Sequence, residues 1–407
     1  MSLLQFARAN TPFLAAGSIL TFCSSFGQTF FIAVFAGEIR AEYGLSHGAW
    51  GGIYTLGTMA SAAVMLWAGT LTDRFRVRAL GPLAMGLLVL ACLFMAASPS
   101  VATLVLSIFL LRFLGQGMMS HIALVAMARW FVATRGKAVA VAAMGFSLGE
   151  AILPVSFVAL MGFVDWRWLW VLAALLPLAA IPVLRHLLKL ERTPQSIAAE
   201  DPAVGMGGRF WTRGEAIRHP LFWLLVPALL GPPAFGTAFF FQQVHLAESK
   251  GWLHVELVAM FPVYTLVAVV SLFATGWLMD RVGAARLLPF YQLPLAACFL
   301  LVPVIATPVL MVFPLMLFGM MQGSSNPILT GFWAEFYGTR HIGAIKSAVA
   351  AVMVMGSAIG PGLTGWLIDA GMPFVDQMPY IAAYHVVTSA VVWVAVRAAR
   401  QTLPAPA

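Results

Sequence analysis

Long apolar runs recur from one end of the 407-residue chain to the other, separated by short polar joints. An α-helix needs about 20 apolar residues to cross the hydrocarbon core of a bilayer. A transmembrane barrel would instead show weak alternating segments of about 10 residues. The sequence therefore predicts an all-α membrane protein with twelve transmembrane helices, numbered here as spans 1 to 12 in chain order: 11–36, 48–71, 79–97, 102–128, 137–162, 167–187, 220–245, 254–277, 286–305, 308–333, 343–368 and 379–398.

The composition excludes most classes of soluble protein. Hydrophobic residues make up 61% of the chain and charged residues only 9%, whereas a soluble domain carries about 25% charged residues. A soluble enzyme, a nucleic-acid-binding domain and a disordered chain are thereby excluded. The sequence contains no phosphate-binding loop, zinc-ligand spacing, dinucleotide fingerprint or catalytic triad. We therefore expect no enzyme activity, no cofactor and no metal, and an ion or substrate gradient as the energy source.

The Lys and Arg residues are distributed unevenly between the predicted loops. If both termini lie on one side, 19 fall on that side or at the span ends facing it, 3 fall on the other (Arg40, Arg167 and Lys250), and Arg112 is left deep within a span. Asp and Glu divide evenly, 7 and 7, with Glu150 within a span. An excess of Lys and Arg, but not of acidic residues, is typical of cytoplasmic loops. We therefore predict a protein of the cytoplasmic membrane with both termini in the cytoplasm.

One long polar segment, 188–219, separates an N-terminal set of six spans (1–187) from a C-terminal set of six (220–407). The two halves repeat a series of landmarks at offsets of 206 to 211 residues. Parallel six-helix repeats are typical of transporters in which one half rocks against the other. The landmark pairs are Phe26-Gly27 and Phe235-Gly236, Tyr54-Thr55 and Tyr264-Thr265, Gln116-Gly117 and Gln322-Gly323, and Gly145 with Gly149 and Gly356 with Gly360.

The loops between spans 2 and 3 and between spans 8 and 9 carry the same motif, a glycine separated by three residues from an Asp-Arg pair, with further basic residues beyond. Its residues are Gly69, Asp73, Arg74 and Arg78 in the first copy and Gly276, Asp280, Arg281 and Arg286 in the second. With these motifs the chain resembles the major facilitator superfamily over nearly its whole length. Within that superfamily it most resembles bacterial relatives of the monocarboxylate and oxalate/formate carriers. The resemblance implies two pseudo-symmetric six-helix bundles and transport by alternating access.

The two motifs predict a cytoplasmic gate. Asp73 and Asp280 lie at the cytoplasmic ends of spans 2 and 8, where each can pair with Arg and cap a neighbouring helix across the seam between the halves. Such pairs hold the cytoplasmic side closed and break when that side opens. The alternative is that these Arg residues only follow the positive-inside rule, but the repeated Asp favours a gate.

Arg112 is the basic residue left within a span, and it is the strongest single candidate for function. It follows Ser100 by about 12 residues, which places it about 18 Å from the outer loop. A charge at such a depth costs at least about 2.5–3.5 kcal/mol on insertion scales and marks a functional site. Gln116, one turn later, shares its face. The surrounding stretch 112–117 also resembles the span-4 motif of the superfamily, which implies a role for Arg112 in proton coupling or in binding a substrate anion.

Glu150 is the one carboxylate deep within a predicted span. It lies in span 5, within about a turn of the depth of Arg112, and three interpretations remain open. The two residues form a fixed ion pair that makes both tolerable in lipid. Alternatively, Glu150 carries a transported proton. In the third interpretation, Arg112 binds an anionic substrate and releases Glu150 when it does so.

Neutral polar side chains predict the lining of a substrate path. Gln28 follows Thr21 and Ser24 at helical spacing, which predicts one polar face on span 1. Pro327 removes a backbone donor and predicts a break in span 10. For each lining residue, helix packing is the alternative to substrate contact. The remaining candidates are Tyr54 in span 2, Gln242 and Gln243 in span 7, Tyr264 in span 8, and Gln322 and Asn326 in span 10.

The leading functional prediction is a secondary carrier for a small organic anion, such as a monocarboxylate, coupled to protons. Arg112 would contact the anion, and Glu150 would carry the proton. The alternatives are an efflux carrier for a drug-like or cationic compound, with Glu150 as its cation site, and a transport-inactive ligand sensor. The expected partners are a small-molecule substrate and the lipid bilayer, with no nucleic acid, and the chain is expected to be a monomer.

Overall fold

The computed structural model of the protein describes Gln5 and residues 8–131, 134–189 and 204–402. Within these ranges the chain forms helices and turns and no β-strand. The chain divides into two compact units, Met1–Ala199 and Glu200–Ala407. Each unit buries its own set of apolar side chains.

The first unit contains spans 1 to 6, of which span 1 is broken and span 4 contains a π-helical stretch. Span 1 consists of the helices Thr11–Ser24, Thr29–Ile32 and Ala36–Tyr43, joined by the 3₁₀ turns Ser25–Gly27 and Ala33–Phe35. Span 4 runs through Val101–Leu111, the π-helix Arg112–Met119 and Ser120–Trp130. The other helices are His47–Ala68, Leu71–Arg74, Val77–Ala97, Arg135–Met161 and Trp166–Leu187.

In its described residues, 204–402, the second unit contains five long helices and several short ones. The long helices are Pro220–Phe241, Phe261–Val282, Val312–Tyr337, Ile342–Asp369 and Phe374–Ala399. The short helices are Arg213–Arg218, Gln243–Lys250, His254–Val258, Ala284–Leu287 and Leu293–Leu301, and the 3₁₀ turns are Met206–Gly208, Val302–Val304, Pro308–Met311 and Arg400–Thr402.

The number of membrane-spanning helices differs from the predicted twelve. Among the described residues, ten helices are long and apolar enough to cross a bilayer. The two parts of span 1, Thr11–Gly27 and Thr29–Tyr43, pass the same criterion together and bring the number to eleven. The predicted span 9 contains only the shorter apolar helix Leu293–Val304. The count of twelve is therefore not confirmed, because span 9 is interrupted near its start.

Glycines bring span 5 against span 1 in the first unit and span 11 against span 7 in the second. A Cβ atom on Gly145 would lie 2.0 Å from the carbonyl oxygen of Ser18, and one on Gly360 would lie 2.0 Å from that of Ala234. Small residues at helix contacts let backbones approach closely in a membrane, where van der Waals packing drives helix association. A Cβ atom on Gly356, the counterpart of Gly145, would likewise lie 2.6 Å from the carbonyl oxygen of Leu230. The repeated glycines therefore mark equivalent helix contacts in the two units.

Aromatic side chains fill the core of each unit. In the first unit, Phe31 makes edge contacts with Phe26, Phe35, Phe157 and Trp170, with ring centroids 4.9–5.5 Å apart. In the second unit, five aromatic rings from spans 7, 8 and 10 pack together. Edge-to-face pairs at such distances add to the stability gained from burial. The rings of this second cluster are Phe239, Phe240, Phe261, Tyr264 and Phe318.

The described end of the predicted central loop, 204–219, folds onto the second unit. The backbone N–H of Trp211 donates to the carbonyl of Tyr337, and the Trp211 ring packs against His219 and Tyr337. The Nδ1 atom of His219 accepts a hydrogen bond from the N–H of Leu221 and so caps span 7. Burial, and secondly the charge of Arg209, lowers the pKa of His219, which favours the neutral ring that this cap requires.

In each unit, an aromatic side chain at or just beyond the end of the first span caps the end of the third span. In the first unit, the hydroxyl of Tyr43 donates to the carbonyl of Ser98. In the second unit, the indole of Trp252, 209 residues later, donates to the carbonyl of Ala306. Nearby cations also donate to carbonyls at these helix ends, Arg167 to Ser98 and Lys250 to Ile305. Donors at a helix C-terminus satisfy carbonyls that have no partner within the helix.

Candidate functional site

The first span breaks at Gln28. The Gln28 backbone is extended, with φ −86° and ψ 153°, and the helical parts on either side are bent by 47°. A Cβ atom on Gly27 would lie 2.1 Å from the carbonyl oxygen of Leu111 and 2.7 Å from the Cα of Gly115. Span 1 thus meets span 4 backbone to backbone at the break. The carbonyl of Gly27 ends the first helical part and is available to a donor from span 4.

The guanidinium of Arg112 lies at this break. Its Nη1 atom donates to the carbonyl of Gly27 at 3.2 Å and to the hydroxyl of Thr29 at 3.3 Å. Its Cζ lies 5.2 Å from the ring centroid of Tyr54, and the residue is only 1% exposed. Arg112 is also the first residue of the π-helical stretch, a kind of distortion that is frequent at functional sites. The cation therefore sits at the negative, carbonyl end of a helix, which stabilises it.

Thr29 connects Arg112 to Tyr54 in the candidate site. Its hydroxyl is hydrogen bonded to the hydroxyl of Tyr54 and accepts from Arg112. All three side chains are buried. Arg112 and Tyr54 are expected from the sequence, whereas Thr29 is not. Thr29 follows Gln28 directly and lies out of phase with the predicted polar face, so only the break in span 1 brings it to Arg112.

One edge of the Arg112 guanidinium makes no hydrogen bond within the described part of the chain. Both hydrogen bonds to the protein use Nη1, and Nε has no hydrogen-bond partner among the described residues. A guanidinium carries five N–H donors, and its fork geometry matches a carboxylate in a bidentate pair. The edge formed by Nε and Nη2 can therefore take a carboxylate.

The equivalent position in the second unit holds no charge. The offset of 206 residues between Gln116 and Gln322 aligns Arg112 with Phe318. The Phe318 ring lies 5.1 Å from the ring of Tyr264, the counterpart of Tyr54, and a Cβ on Gly236, the counterpart of Gly27, would lie 3.1 Å from its Cζ. The same arrangement of helices is thus filled by an aromatic ring, and the fold does not require a cation there.

Glu150 lies on span 5, beside the same part of span 1. It is 6% exposed. Its neighbour Gly149 meets span 1 so closely that a Cβ there would lie 2.1 Å from the hydroxyl oxygen of Ser25. Arg112 itself contacts Gly27, Thr29 and Tyr54. The predicted ion pair between Arg112 and Glu150 therefore stays a prediction.

The predicted polar face of span 1 is wrong in part. Thr21 donates to the carbonyl of Ala142 in span 5, and Ser24 donates to the carbonyl of Thr21 in its own helix. Both side chains are buried and take part in helix packing. Gln28 is also buried but belongs to the break, so it does not continue a helical series. The physical reason is the close approach of Gly27 to span 4, which ends the helix.

The predicted lining residues of the second unit fall into two groups. Gln242 and Gln243 are buried at a junction between helices, where Gln242 donates to the Thr364 hydroxyl and Gln243 lies 3.2 Å from the Nε2 of His254. Gln322 and Asn326 are exposed on span 10. In the first unit, Gln116 on span 4 is half-buried. The oxygen of Asn326 accepts from Thr330, whose hydroxyl accepts from Lys346. Tyr264 packs in the aromatic core.

Span 10 is not broken at Pro327. The helix Val312–Tyr337 continues through this residue. A proline within a membrane helix is tolerated where neighbouring groups satisfy the carbonyl that it frees. The predicted break in span 10 is therefore wrong, and the bend of 47° lies in span 1 instead.

In the first unit, span 4 holds the motif loop between spans 2 and 3. Arg129 donates to the carbonyl of Thr72 at 2.5 Å, and the Nε2 of His121 lies 3.2 Å from the carbonyl oxygen of Gly69. Arg74 ends the short helix Leu71–Arg74, and Arg78 lies in the first turns of span 3. The side chain of Asp73 lies outside the described residues, so its predicted ion pair stays a prediction.

In the second unit, span 10 holds the matching loop. A carboxylate oxygen of Glu335, which aligns with Arg129 at the offset of 206, accepts from the N–H of Ala285 at 3.3 Å. Gly283 turns the loop with φ +81°, a conformation that favours glycine. The predicted gate residues Gly276 and Arg281 lie in span 8, with Arg281 stacked on Trp277, and Arg286 lies in Ala284–Leu287. The side chain of Asp280 lies outside the described residues.

Two curated proteins are similar to this chain in sequence. Monocarboxylate transporter 13 of Bos taurus is 28% identical over 286 residues, and that of Rattus norvegicus is 26% identical over 285 residues. Each aligned region takes up 69% of this chain and 64% of the relative, so the match spans less than two thirds of either relative.

Solved structures of transporters resemble the fold over almost the whole chain. A bacterial homolog of the human lysosomal transporter Spinster, in an inward-facing and unoccupied conformation, aligns with a TM-score of 0.74 and 16% identity over 98% of this chain and 99% of that chain. A mutant of the nucleoside transporter NupG aligns with a TM-score of 0.72 and 12% identity over 95% of this chain and 99% of that chain. These likenesses show an all-helical major facilitator fold. The family model described as Major Facilitator Superfamily matches residues 17–361, and the chain therefore belongs to this superfamily of multi-pass membrane transporters.

Proposed function

We propose that this protein is a secondary active transporter that moves a small organic anion, such as a monocarboxylate, across the cytoplasmic membrane. Transport proceeds by alternating access and is coupled to protons. The observation that carries the proposal is the buried Arg112 at the break in span 1, with Nε unpartnered in the described part of the chain. The similarity to proteins named monocarboxylate transporter 13 supports an anionic substrate of this size.

The comparison between the two units supports a functional role for the charge. The position of Arg112 is filled by Phe318 in the second unit, against an equivalent tyrosine and an equivalent glycine. A buried cation is costly to keep in a membrane when an aromatic ring can fill the same space. A charge retained at this cost is best explained by a ligand of opposite charge.

In the proposed complex, a carboxylate binds along the Nε–Nη2 edge of Arg112. The hydroxyls of Thr29 and Tyr54 hold the guanidinium in orientation, because each is hydrogen bonded to the other and Thr29 accepts from Nη1. Since Arg112 is buried, the substrate reaches it only after the covering residues move. The break at Gln28 supplies a place where the two parts of span 1 can change their angle.

Glu150 is the proposed proton carrier, and a proton gradient the proposed energy source. It is buried beside span 1, on the span that packs against the helix Thr11–Ser24. In this proposal, both termini lie in the cytoplasm. The cytoplasmic gate is formed by Gly69, Asp73, Arg74, Arg78, Gly276, Asp280, Arg281 and Arg286.

Uptake into proteoliposomes tests the proposal directly. The purified protein is supplied with a panel of labelled monocarboxylates, dicarboxylates, organic cations and neutral compounds, with and without an inward proton gradient. We expect accumulation of a monocarboxylate that depends on the gradient. If only cations or neutral compounds move, the anion proposal is wrong and an efflux carrier is the better description.

Two substitutions test the assigned roles. We expect Arg112→Ala to lower kcat/KM for the anion about 100-fold or more, because the buried charge pair between Arg112 and the substrate is lost. We expect Glu150→Gln to abolish accumulation driven by the pH gradient. Arg185→Gln, which removes an exposed charge on span 6, serves as the control and should transport normally. Normal anion affinity in a folded Arg112→Ala variant would contradict the first role. Retained pH-driven accumulation in Glu150→Gln would contradict the second.

A further inference from the structure

A groove of about 450 Å³ opens on the second unit, where the start of span 9 meets the end of span 12. Three arginines contribute to its lining. Arg286 comes from the short helix Ala284–Leu287 at the start of span 9, and Arg397 and Arg400 come from the end of span 12. Two aromatic residues, Phe290 and Trp393, contribute an apolar wall. The lining contains no Asp or Glu.

The positive charge of this groove is not neutralised by the described residues. Within the described ranges, none of the three arginines forms an ion pair with a carboxylate. Arg397 stacks over the ring of Trp393, with its Cζ 5.4 Å from the centroid, and this contact orients the guanidinium without cancelling its charge. All three arginine side chains are exposed. Three guanidinium groups in the lining of one groove suit a ligand with several negatively charged oxygens, above all a phosphate.

The apolar wall of the groove is formed by exposed aromatic side chains. Phe290 is 55% exposed, and Trp393 is 46% exposed. Trp393 precedes Arg397 by one helical turn, so the aromatic part and the charged part lie on the same face of span 12. A free phosphate ion would use only the charged part. A molecule with a phosphate head and an apolar chain would use both parts.

We propose that this groove binds the headgroup of an anionic phospholipid, with the phosphate between Arg286, Arg397 and Arg400 and an acyl chain along Phe290 and Trp393. The three arginines belong to the side of the membrane that carries most of the Lys and Arg residues. Anionic lipids of the cytoplasmic leaflet are attracted to such basic surfaces, and basic pockets between spans bind anionic headgroups. The proposal depends on the proposed membrane orientation but not on the identity of the transported substrate.

Native mass spectrometry of the purified full chain tests the proposal. The detergent-solubilised protein is titrated with dioleoyl-phosphatidylglycerol or with dioleoyl-phosphatidylcholine, and retained lipids are counted. We expect one phosphatidylglycerol to be retained preferentially. In the double variant Arg397→Gln and Arg400→Gln, its affinity should fall about 30-fold, since two charges near an anionic lipid are lost. The matched control, Arg213→Gln and Arg218→Gln, removes two exposed charges from another part of the same unit and should bind as the unsubstituted protein does.

Further variants separate a lipid site from a phosphate site and from a loss of folding. The variant Arg397→Lys and Arg400→Lys keeps the charge and should retain most of the preference. Phosphatidylglycerol with brominated acyl chains should quench tryptophan fluorescence more than the brominated phosphatidylcholine does, and Trp393→Phe should remove the difference. Equal binding of the two lipids, equal loss in the control variant, or equal affinity for glycerol 1-phosphate without acyl chains would overturn the proposal.

Discussion

At the scale of single residues, the candidate site depends on hydrogen bonds that hold one buried cation. Arg112 has Thr29 and the Gly27 carbonyl as acceptors and the Tyr54 ring beside it. A hydrogen bond to a charged group contributes about 1.5–3 kcal/mol, and a buried group that loses its partner costs about as much. The orientation of Arg112 should therefore depend on Thr29, a residue with no charge of its own.

We predict that Thr29→Val lowers the free energy of unfolding by about 1–3 kcal/mol, because both Arg112 and Tyr54 lose a partner. The matched control is Thr58→Val on span 2. Thr58 is also buried, but its hydroxyl has no hydrogen-bond partner among the described residues. Removing that hydroxyl should be neutral or stabilising. Thermal unfolding of the detergent-solubilised variants measures both effects, and equal losses of stability would contradict the assigned role of Thr29.

The same residues show how far the site could be predicted from sequence. A charge deep in an apolar run is visible without a structure, and Arg112 is indeed fully buried. The partner Thr29 could not be predicted, because a regular helix places it on a different face from Thr21, Ser24 and Gln28. The phase of a helix is lost wherever its backbone leaves the helical conformation. A single extended residue, Gln28, was enough to move the polar contacts of span 1.

At the scale of helices, the positions that decide the packing are small residues at close contacts. Gly145 brings span 5 against the carbonyl of Ser18, and Gly360 brings span 11 against that of Ala234. In a membrane, helices associate through such contacts rather than through the hydrophobic effect. The repeat of these glycines in the sequence therefore corresponds to a repeat of helix contacts in the two units.

We predict that Gly145→Ala and Gly360→Ala each cost about 1–3 kcal/mol, because the added methyl group overlaps a backbone carbonyl. Each helix provides its own control. Gly136 in span 5 and Gly343 in span 11 have no neighbouring atom within 4 Å of an added Cβ. Their alanine variants should be neutral or more stable by up to about 1 kcal/mol, since alanine favours a helix over glycine. Thermal unfolding of the four variants checks this, and a loss at Gly136 as large as at Gly145 would contradict it.

The breaks in the helices were harder to predict than their extents. Proline indicated a break at residue 327, yet Val312–Tyr337 is continuous there. The actual break in span 1 contains no proline and coincides with the contact of Gly27 and Gly115. The local sequence shows where proline removes a backbone hydrogen bond. The break in span 1 instead depends on Gly115, which is 88 positions away from Gly27 in the chain.

At the scale of the whole molecule, the uneven distribution of Lys and Arg predicts the orientation in the membrane. This prediction can be tested by cysteine labelling, because Cys23, Cys92 and Cys298 are all buried and should not react. We predict that a membrane-impermeant maleimide labels Ser100→Cys in intact cells, since Ser100 is exposed between spans 3 and 4. Gly214→Cys, which is exposed in the described end of the central loop, should react only after the cells are permeabilised.

Two outcomes of this labelling would contradict the predicted orientation. Reaction at Gly214→Cys in intact cells would place the central loop outside. Protection of Ser100→Cys until permeabilisation would place the loop after span 3 inside. Labelling of the unsubstituted protein would instead contradict the burial of the native cysteines. Normal transport or normal thermal stability of each variant is the control for folding.

The sequence by itself determined the class of the protein, because a chain that is 61% hydrophobic and 9% charged is stable only in a bilayer, where helices satisfy their own backbone groups. It also determined the internal repeat and the position of the buried Arg112, since both are patterns along the chain. Only the tertiary structure decided that Thr29, Gly27 and Tyr54 surround that cation and that Phe318 replaces it in the second unit. The physical reason is that contacts between helices depend on the exact phase and bending of each helix. Close backbone contacts between residues that are distant in the chain determine that phase and bending.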